Sequence, residues 1–311
     1  MDRNKRYSFT MLCVIMLSFI FSLFDSSVPN PLSSEESRQY ADDLLRSLED
    51  SSIVSSEEEA VNIVHRAYAQ AMEVYENDPW SGSGLTGGLL DMLAEMTGVD
   101  VVIIYNSGGW GRIPELDDAE WGEVVAGTAG VLEGLGYSTK RIPYGRTENS
   151  VSGYVGETKA VLDEMPAKAR RLAAEVELLT QNYPDTTVII TGLSQGAAYT
   201  NKVMTLLESN EQVYGIEAGC PFYCETIESE RTLIIGDNGV EGDAIADGDA
   251  LVLLGCLFDA HFRWAMNGFD GGPMKLGGYF DPPGHSYKWH YPGVSHRITG
   301  FIIDNFEPKN A

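Results

Sequence analysis

A chain of 311 residues with 43% hydrophobic content can bury a full α/β core and still carry appendages. Its formal net charge of −25 argues against nucleic acid as a partner, because phosphate binding needs clustered lysine and arginine. The acidity fits a solvated surface that keeps the protein soluble.

The N-terminus carries Arg3, Lys5 and Arg6, followed by an uncharged run from Tyr7 to Phe24. As a helix this run would be about 27 Å long. It reads as a secretory signal peptide or a signal anchor over residues 1–24, and the absence of a clean small-residue cleavage site favours the anchor. Basic residues before the run would leave the N-terminus in the cytoplasm. The rest of the chain is then expected outside it, anchored to the membrane or secreted. Residues 25–97 read as a Pro/Ser-rich linker and a helical extension. Tyr40, Leu44, Leu45 and Leu48 form one apolar face there, and Val61, Val64, Tyr68, Ala71 and Met72 form another. Three carboxylates, Glu57, Glu58 and Glu59, fall where a helix dipole favours them. No recognisable chemistry sits in this extension.

From residue 98 to 311 the pattern changes. Val101–Tyr105 is a continuous apolar run suited to a strand covered on both faces. Asn106-Ser107-Gly108-Gly109-Trp110-Gly111 follows it, and glycine there leaves backbone N–H groups free to face a ligand. A helix is expected over Asp117–Leu135, a strand over Tyr137–Tyr144, a polar loop over Gly145–Gly156 and a long helix over Glu157–Asn182. Val188–Thr191 then reads as a strand, and Val213–Ala218 and Thr232–Ile235 as two more. A helical pattern covers Leu257–Trp264, and an amphipathic helix, Val294–Phe306, closes the chain with Ile298, Phe301, Ile302 and Phe306 inward. Strands alternating with helices predict βαβ units and a mostly parallel sheet.

The third strand runs into Gly192-Leu193-Ser194-Gln195-Gly196, and small residues opening a helix come next. Glycine–x–serine–x–glycine is the sequence form of a nucleophile elbow, a sharp strand-to-helix turn that exposes a serine hydroxyl. In a chain with 33 glycines the bare pattern is weak, and the strand before it and helix after it carry the weight. The plain alternative is a glycine-rich turn with an inert serine.

A serine hydroxyl needs a histidine to take its proton and an acid to orient that histidine. Of five histidines, His65 precedes the sheet and His261 falls in an apolar helical pattern. His285 is the first choice because it follows Pro282-Pro283-Gly284 and precedes the closing helix. His290 comes second, and His296 is expected on the helix. The candidate acids lie in Gly236–Asp249: Asp237, Asp243, Asp247 and Asp249. The same carboxylates could form a solvated acidic turn or a calcium loop, though their spacing is not that of an EF-hand.

In this order of serine, acid and histidine, the chain resembles the α/β-hydrolase superfamily, and within it the compact lipase, cutinase and class 3 lipase branch. The resemblance covers residues 99 to 307. It implies a reduced α/β-hydrolase fold and a serine esterase or lipase-type hydrolase acting on an acyl ester without a cofactor. Ser194 and His285 would be catalytic, and the family's habit of placing an Asp-x-Ile just past such a strand implies Asp243-Ala244-Ile245 for the acid, with Asp237 and Asp247 as alternatives. The backbone N–H groups of Gln195, Gly108 and Gly109 would form the oxyanion hole, with Ser107 a further candidate. A hydrolase fold that lost catalysis and serves as a membrane-anchored binding protein is the alternative, as is an acyltransferase or amidase with the same three residues. Gly153, Tyr154, Met274 and the aromatic loops near Phe258–Phe269 are candidates for pocket lining, and core packing explains them equally well. Of four cysteines, Cys13 lies in the apolar run. A bridge between Cys220 and Cys224 is permitted by their spacing, Cys256 is left over, and no zinc-ligand spacing is present.

Overall fold

The computed structural model describes residues 98–109, 121–146, 166–224, 229–267 and 279–309. The expected anchor, the linker and the helical extension lie outside these residues. So do Trp110, Gly111, Gly153, Tyr154, Phe269 and Met274.

Five strands form one sheet: β1 (Val101–Asn106), β2 (Thr139–Tyr144), β3 (Thr187–Leu193), β4 (Val213–Ala218) and β5 (Thr232–Ile235). Their order across the sheet is β2-β1-β3-β4-β5, and every neighbouring pair is parallel. The helices are α1 (Trp121–Gly134), α2 (Pro166–Asn182), α3 (Gln195–Leu206), α4 (Ala244–Asp247), α5 (Ala250–Met266) and α6 (Pro292–Asn305). Parallel strands with crossover helices must be covered on both faces, which explains why β1 and β3 are continuous apolar runs.

Alternation along each strand sorts the core into two layers. Val102, Ile104, Val188, Ile190 and Val213 pack with Leu172, Val176 and Leu179 of α2 and Tyr199 and Val203 of α3. Val101, Ile103, Tyr105, Ile189, Ile216 and Ile235 pack on the other side with Val124, Val125 and Leu132 of α1 and Val294, Ile298 and Ile302 of α6. Phe306 closes the second layer, its ring 5.7 Å from Tyr137 and 5.1 Å from Tyr214. Phe301, expected inward, is only partly buried at the edge of this layer.

Three local expectations are corrected. Tyr137 and Ser138 precede β2 instead of opening it, because the Ser138 hydroxyl and amide are engaged by Asp100. The helical pattern at Leu257–Trp264 extends over all of α5, which Asp249 caps by accepting from the N–H groups of Leu251 and Val252. Phe258 and Phe262 stand on that helix, not on a loop, and are exposed, as are Leu251 and Met266. No helix among the described residues is long and apolar enough to cross a membrane.

The chain leaves β1 towards β2 and later returns to β3 on the opposite side of β1. That reversal makes a topological switch point at the carboxyl ends of β1 and β3, the place where open parallel sheets hold their ligands.

Candidate active site

Ser194 stands at that switch point, between the last residue of β3 and the first of α3. Its φ of 56° makes it the one non-glycine residue with positive φ among the described residues. Such a conformation costs on the order of 1–3 kcal/mol and persists only where its surroundings impose it. Here they do: the Ser194 amide donates to the Ala218 carbonyl at 2.9 Å, while its own carbonyl accepts from Ala198. The two glycines of the turn are required by close approach. A Cβ on Gly192 would stand 2.2 Å from the Gly196 carbonyl oxygen, and one on Gly196 would stand 2.6 Å from the carbonyl oxygens of Asn106 and Ser107.

The Gly-rich loop after β1 borders the serine directly. A Cβ on Gly108 would lie 3.4 Å from the Ser194 Cβ. Gly109 adopts a left-handed conformation, with φ of 58°. Gln195 opens α3, so its N–H is among the helix-start donors that have no intrahelical partner. At the root of the loop, buried Asn106 donates from Nδ2 to the Thr191 carbonyl at 3.3 Å and to Thr200 Oγ1 at 3.4 Å, joining β1 to β3 and α3.

The acid and the histidine come from the segments that follow β5 in the chain. Asp243 is buried and caps α4, its Oδ1 accepting from the amides of Ile245 at 2.8 Å and Ala246 at 3.2 Å. Its Oδ2 accepts from His285 Nδ1 at 2.8 Å and from the Tyr287 hydroxyl, also at 2.8 Å. Burial pushes the Asp243 carboxyl up, but the His285 hydrogen bond and charge, Tyr287 and the Ala246 amide outweigh it and hold the group below its ordinary value. An ionised Asp243 on Nδ1 keeps the Nδ1–H tautomer of His285 and leaves Nε2 as the acceptor.

Gly219, with φ of 59°, joins the two halves. It follows Ala218, the acceptor of the Ser194 amide, and a Cβ on it would stand 3.0 Å from His285 Cε1 and 3.1 Å from Asp243 Oδ2. Any side chain here would push into the histidine–aspartate pair, so glycine keeps the pair against the end of β4. Cys220 and Cys224 are bridged immediately after it, and Cys256 is a free thiol.

The other candidates fall elsewhere. Asp237 is exposed and accepts from the Gly239 amide. Asp247 is exposed in α4, and Asp249 caps α5. His290 is exposed with its ring 4.6 Å from that of Tyr291, His296 lies exposed on α6, and the His261 ring bonds the Leu257 carbonyl one turn back. Among the described residues no group of three or more histidine, cysteine, aspartate and glutamate side chains could hold a metal ion.

Three supporting residues escaped the sequence reading. Tyr287 donates to Asp243, as above. Asn238, buried, donates to the carbonyls of Gly284 at 3.2 Å and Ser286 at 2.8 Å, on either side of His285. Arg146, buried, donates to the Ser107 carbonyl at 2.9 Å and the Gly109 carbonyl at 3.4 Å. Each acts through backbone carbonyls or a shared oxygen, and no motif marks such contacts. Only the closeness of Tyr287 to His285 could have drawn attention in advance.

No family model matches the chain, and no curated protein matches it. Among solved structures, a Trichoderma reesei cutinase in complex with a C11Y4 phosphonate inhibitor is similar over 58% of this chain and 85% of its own, at 15% identity and a TM-score of 0.37. Similarity at that level lends no weight to a functional reading, which rests on the geometry around Ser194, Asp243 and His285.

Proposed function

We propose that the protein is a serine hydrolase that cleaves a carboxylic ester through an acyl-enzyme on Ser194. The observation that carries this reading is the bond from His285 Nδ1 to buried Asp243, held at the same end of the sheet as a serine in a positive-φ turn. His285 Nε2 takes the Ser194 hydroxyl proton as Oγ attacks the acyl carbonyl. The oxyanion that forms is stabilised by the backbone N–H groups of Gln195 and of the Gly108–Gly109 loop. His285 returns the proton to the leaving alcohol. Water, deprotonated by the same nitrogen, then attacks the acyl-enzyme; the acid leaves, and Ser194 regains its proton. Asp243 stays ionised throughout and stabilises the imidazolium.

An exported protein fits this chemistry. The N-terminal basic and apolar run and the Cys220–Cys224 bridge both support a place outside the cytoplasm, with the run as the membrane contact.

A fluorophosphonate probe tests the reading, because an activated serine attacks its phosphorus and displaces fluoride. The expected result is covalent labelling of the wild type at Ser194, none in Ser194→Ala, and hydrolysis of short-chain nitrophenyl esters. A folded wild type that takes no label and turns over no ester would overturn it in favour of a binding protein. Faster transfer to an added amine or alcohol than to water would instead point to an acyltransferase.

A further inference from the structure

We propose that Arg146 is a positioning residue that clamps the loop after β1 into an oxyanion-binding shape. The inference rests on the esterase reading above and adds to it a side chain remote in sequence from every motif. Arg146 lies just beyond β2, buried, with its guanidinium reaching across to β1's loop. Nη1 donates to the Ser107 carbonyl at 2.9 Å and Nη2 to the Gly109 carbonyl at 3.4 Å, so one planar fork spans the whole Ser107–Gly108–Gly109 turn. The guanidinium also sits 5.3 Å over the ring of Tyr199 in α3, the helix that starts beside Ser194. Tyr199 is itself fixed, buried and donating its hydroxyl to the Lys168 carbonyl at 2.8 Å.

The consequence follows from peptide geometry. In a trans peptide the carbonyl of one residue and the N–H of the next point in opposite directions. Holding the Ser107 carbonyl on Arg146 therefore turns the Gly108 N–H away from the guanidinium and leaves it free of that contact. Gly108 is the loop residue that borders Ser194 Cβ. A glycine-rich loop has no side chains of its own to resist a peptide flip, and a flip here would present an oxygen where a donor is needed. Arg146 supplies that resistance from outside the loop, and the Tyr199 ring keeps the guanidinium from swinging away.

The test uses Arg146→Ala and Arg146→Lys in the full chain, with folding followed by circular dichroism. Loss of a single oxyanion donor predicts kcat for Arg146→Ala down about 100-fold, with KM changed by less than about threefold. Millimolar guanidinium should restore kcat in Arg146→Ala by at least about tenfold and leave the wild type unchanged, which a merely structural role would not produce. Lysine reaches one carbonyl as a point charge, so Arg146→Lys should lose about tenfold. That variant carries the kinetic test if Arg146→Ala does not fold. The proposal is overturned by kcat within about threefold of wild type in a folded variant, or by a loss confined to KM. Amide exchange at Gly108, read with glycine-selective nitrogen labelling, should be faster in both variants. If the wild type takes no phosphonate and cleaves no ester, the esterase reading fails, and unchanged Gly108 exchange would separately overturn the clamp.

Discussion

Tyr287 donates its hydroxyl to Oδ2 of Asp243, the same oxygen that accepts from His285 Nδ1. Burial and the neighbouring Asp243 charge push the phenol's pKa up, so Tyr287 remains an O–H donor over any working pH. Phenylalanine keeps the ring and removes the donor. Tyr287→Phe should lose about 1.5–3 kcal/mol of stability, the range for a hydrogen bond to a charged group. It should also lower kcat about tenfold, because the carboxylate is freer to rotate under His285. Denaturant melts and ester kinetics check both, and unchanged kcat would leave Tyr287 a packing residue.

The acid loop offers an internal control. Asp243→Asn should reduce kcat about 10⁴-fold by favouring the wrong histidine tautomer. Asp237→Asn and Asp247→Asn, at exposed positions, should stay within about twofold. Since the folded Asp243 carboxyl is held below its ordinary value of 3.8, its stabilising contribution is present above that value. That contribution is lost as pH falls through the folded value, so the acid unfolding of Asp243→Asn should be less steep than that of the wild type. A matching loss of activity in Asp237→Asn would move the acid to the other end of the loop.

Asn238 holds the histidine loop from beneath. Besides its two donations, Oδ1 accepts from the amides of Val240 at 2.8 Å and Glu241 at 3.0 Å. Asn238→Ala leaves the Gly284 and Ser286 carbonyls without this donor and should cost about 1–3 kcal/mol of stability. Its kcat should fall while KM holds, since His285 and not the substrate loses its support. Kinetics well below the melting temperature separate the two effects, and a variant that is less stable yet fully active would confine Asn238 to folding.

Glu217 is fully buried on β4, in register with Gly192 of β3, and meets Asn201 Nδ2 at 3.3 and 3.4 Å. Burial pushes its pKa up to about 8, against an opposing pull from Asn201. Unfolded, the same group ionises near 4.5, so between these values the native state holds a proton that the unfolded state has lost. Stability should then fall as pH rises across that window, by up to about 1.4 kcal/mol per pH unit. Glu217→Gln lacks this dependence. Its stability relative to wild type should grow between pH 5 and pH 8, and a constant difference in melts at the two pH values would show that Glu217 does not titrate there.

How much of this was legible in advance depends on the reach of each interaction. The strands and the elbow were legible because their causes are local. An apolar run with no polar face must be buried on both sides, and two glycines flanking Leu193-Ser194-Gln195 answer a close approach between β3, α3 and β1. The Pro282-Pro283-Gly284 signal ranked His285, and the Asp-x-Ile pattern of the resembling family ranked Asp243, ahead of their neighbours. Order could not decide where either side chain points, since Asp237, Asp243, Asp247 and Asp249 differ by a few residues and share one composition. Burial decided it: Asp243 is turned inward by the cap of α4 and met by His285 and Tyr287, while the other three remain exposed.

By itself, then, the sequence determined the alternation of strands and helices, the two-sided core and the turn that carries Ser194, all products of periodicity and of missing Cβ atoms. Only the tertiary structure decided that Asp243 meets His285, that Asn238 braces the residues flanking His285, and that Arg146 reaches the Ser107 carbonyl. Those contacts join residues 39 to 48 positions apart, the limits being Arg146 to Ser107 and Asn238 to Ser286. A hydrogen bond across that distance depends on where the sheet brings its strand ends together, and no local pattern encodes it.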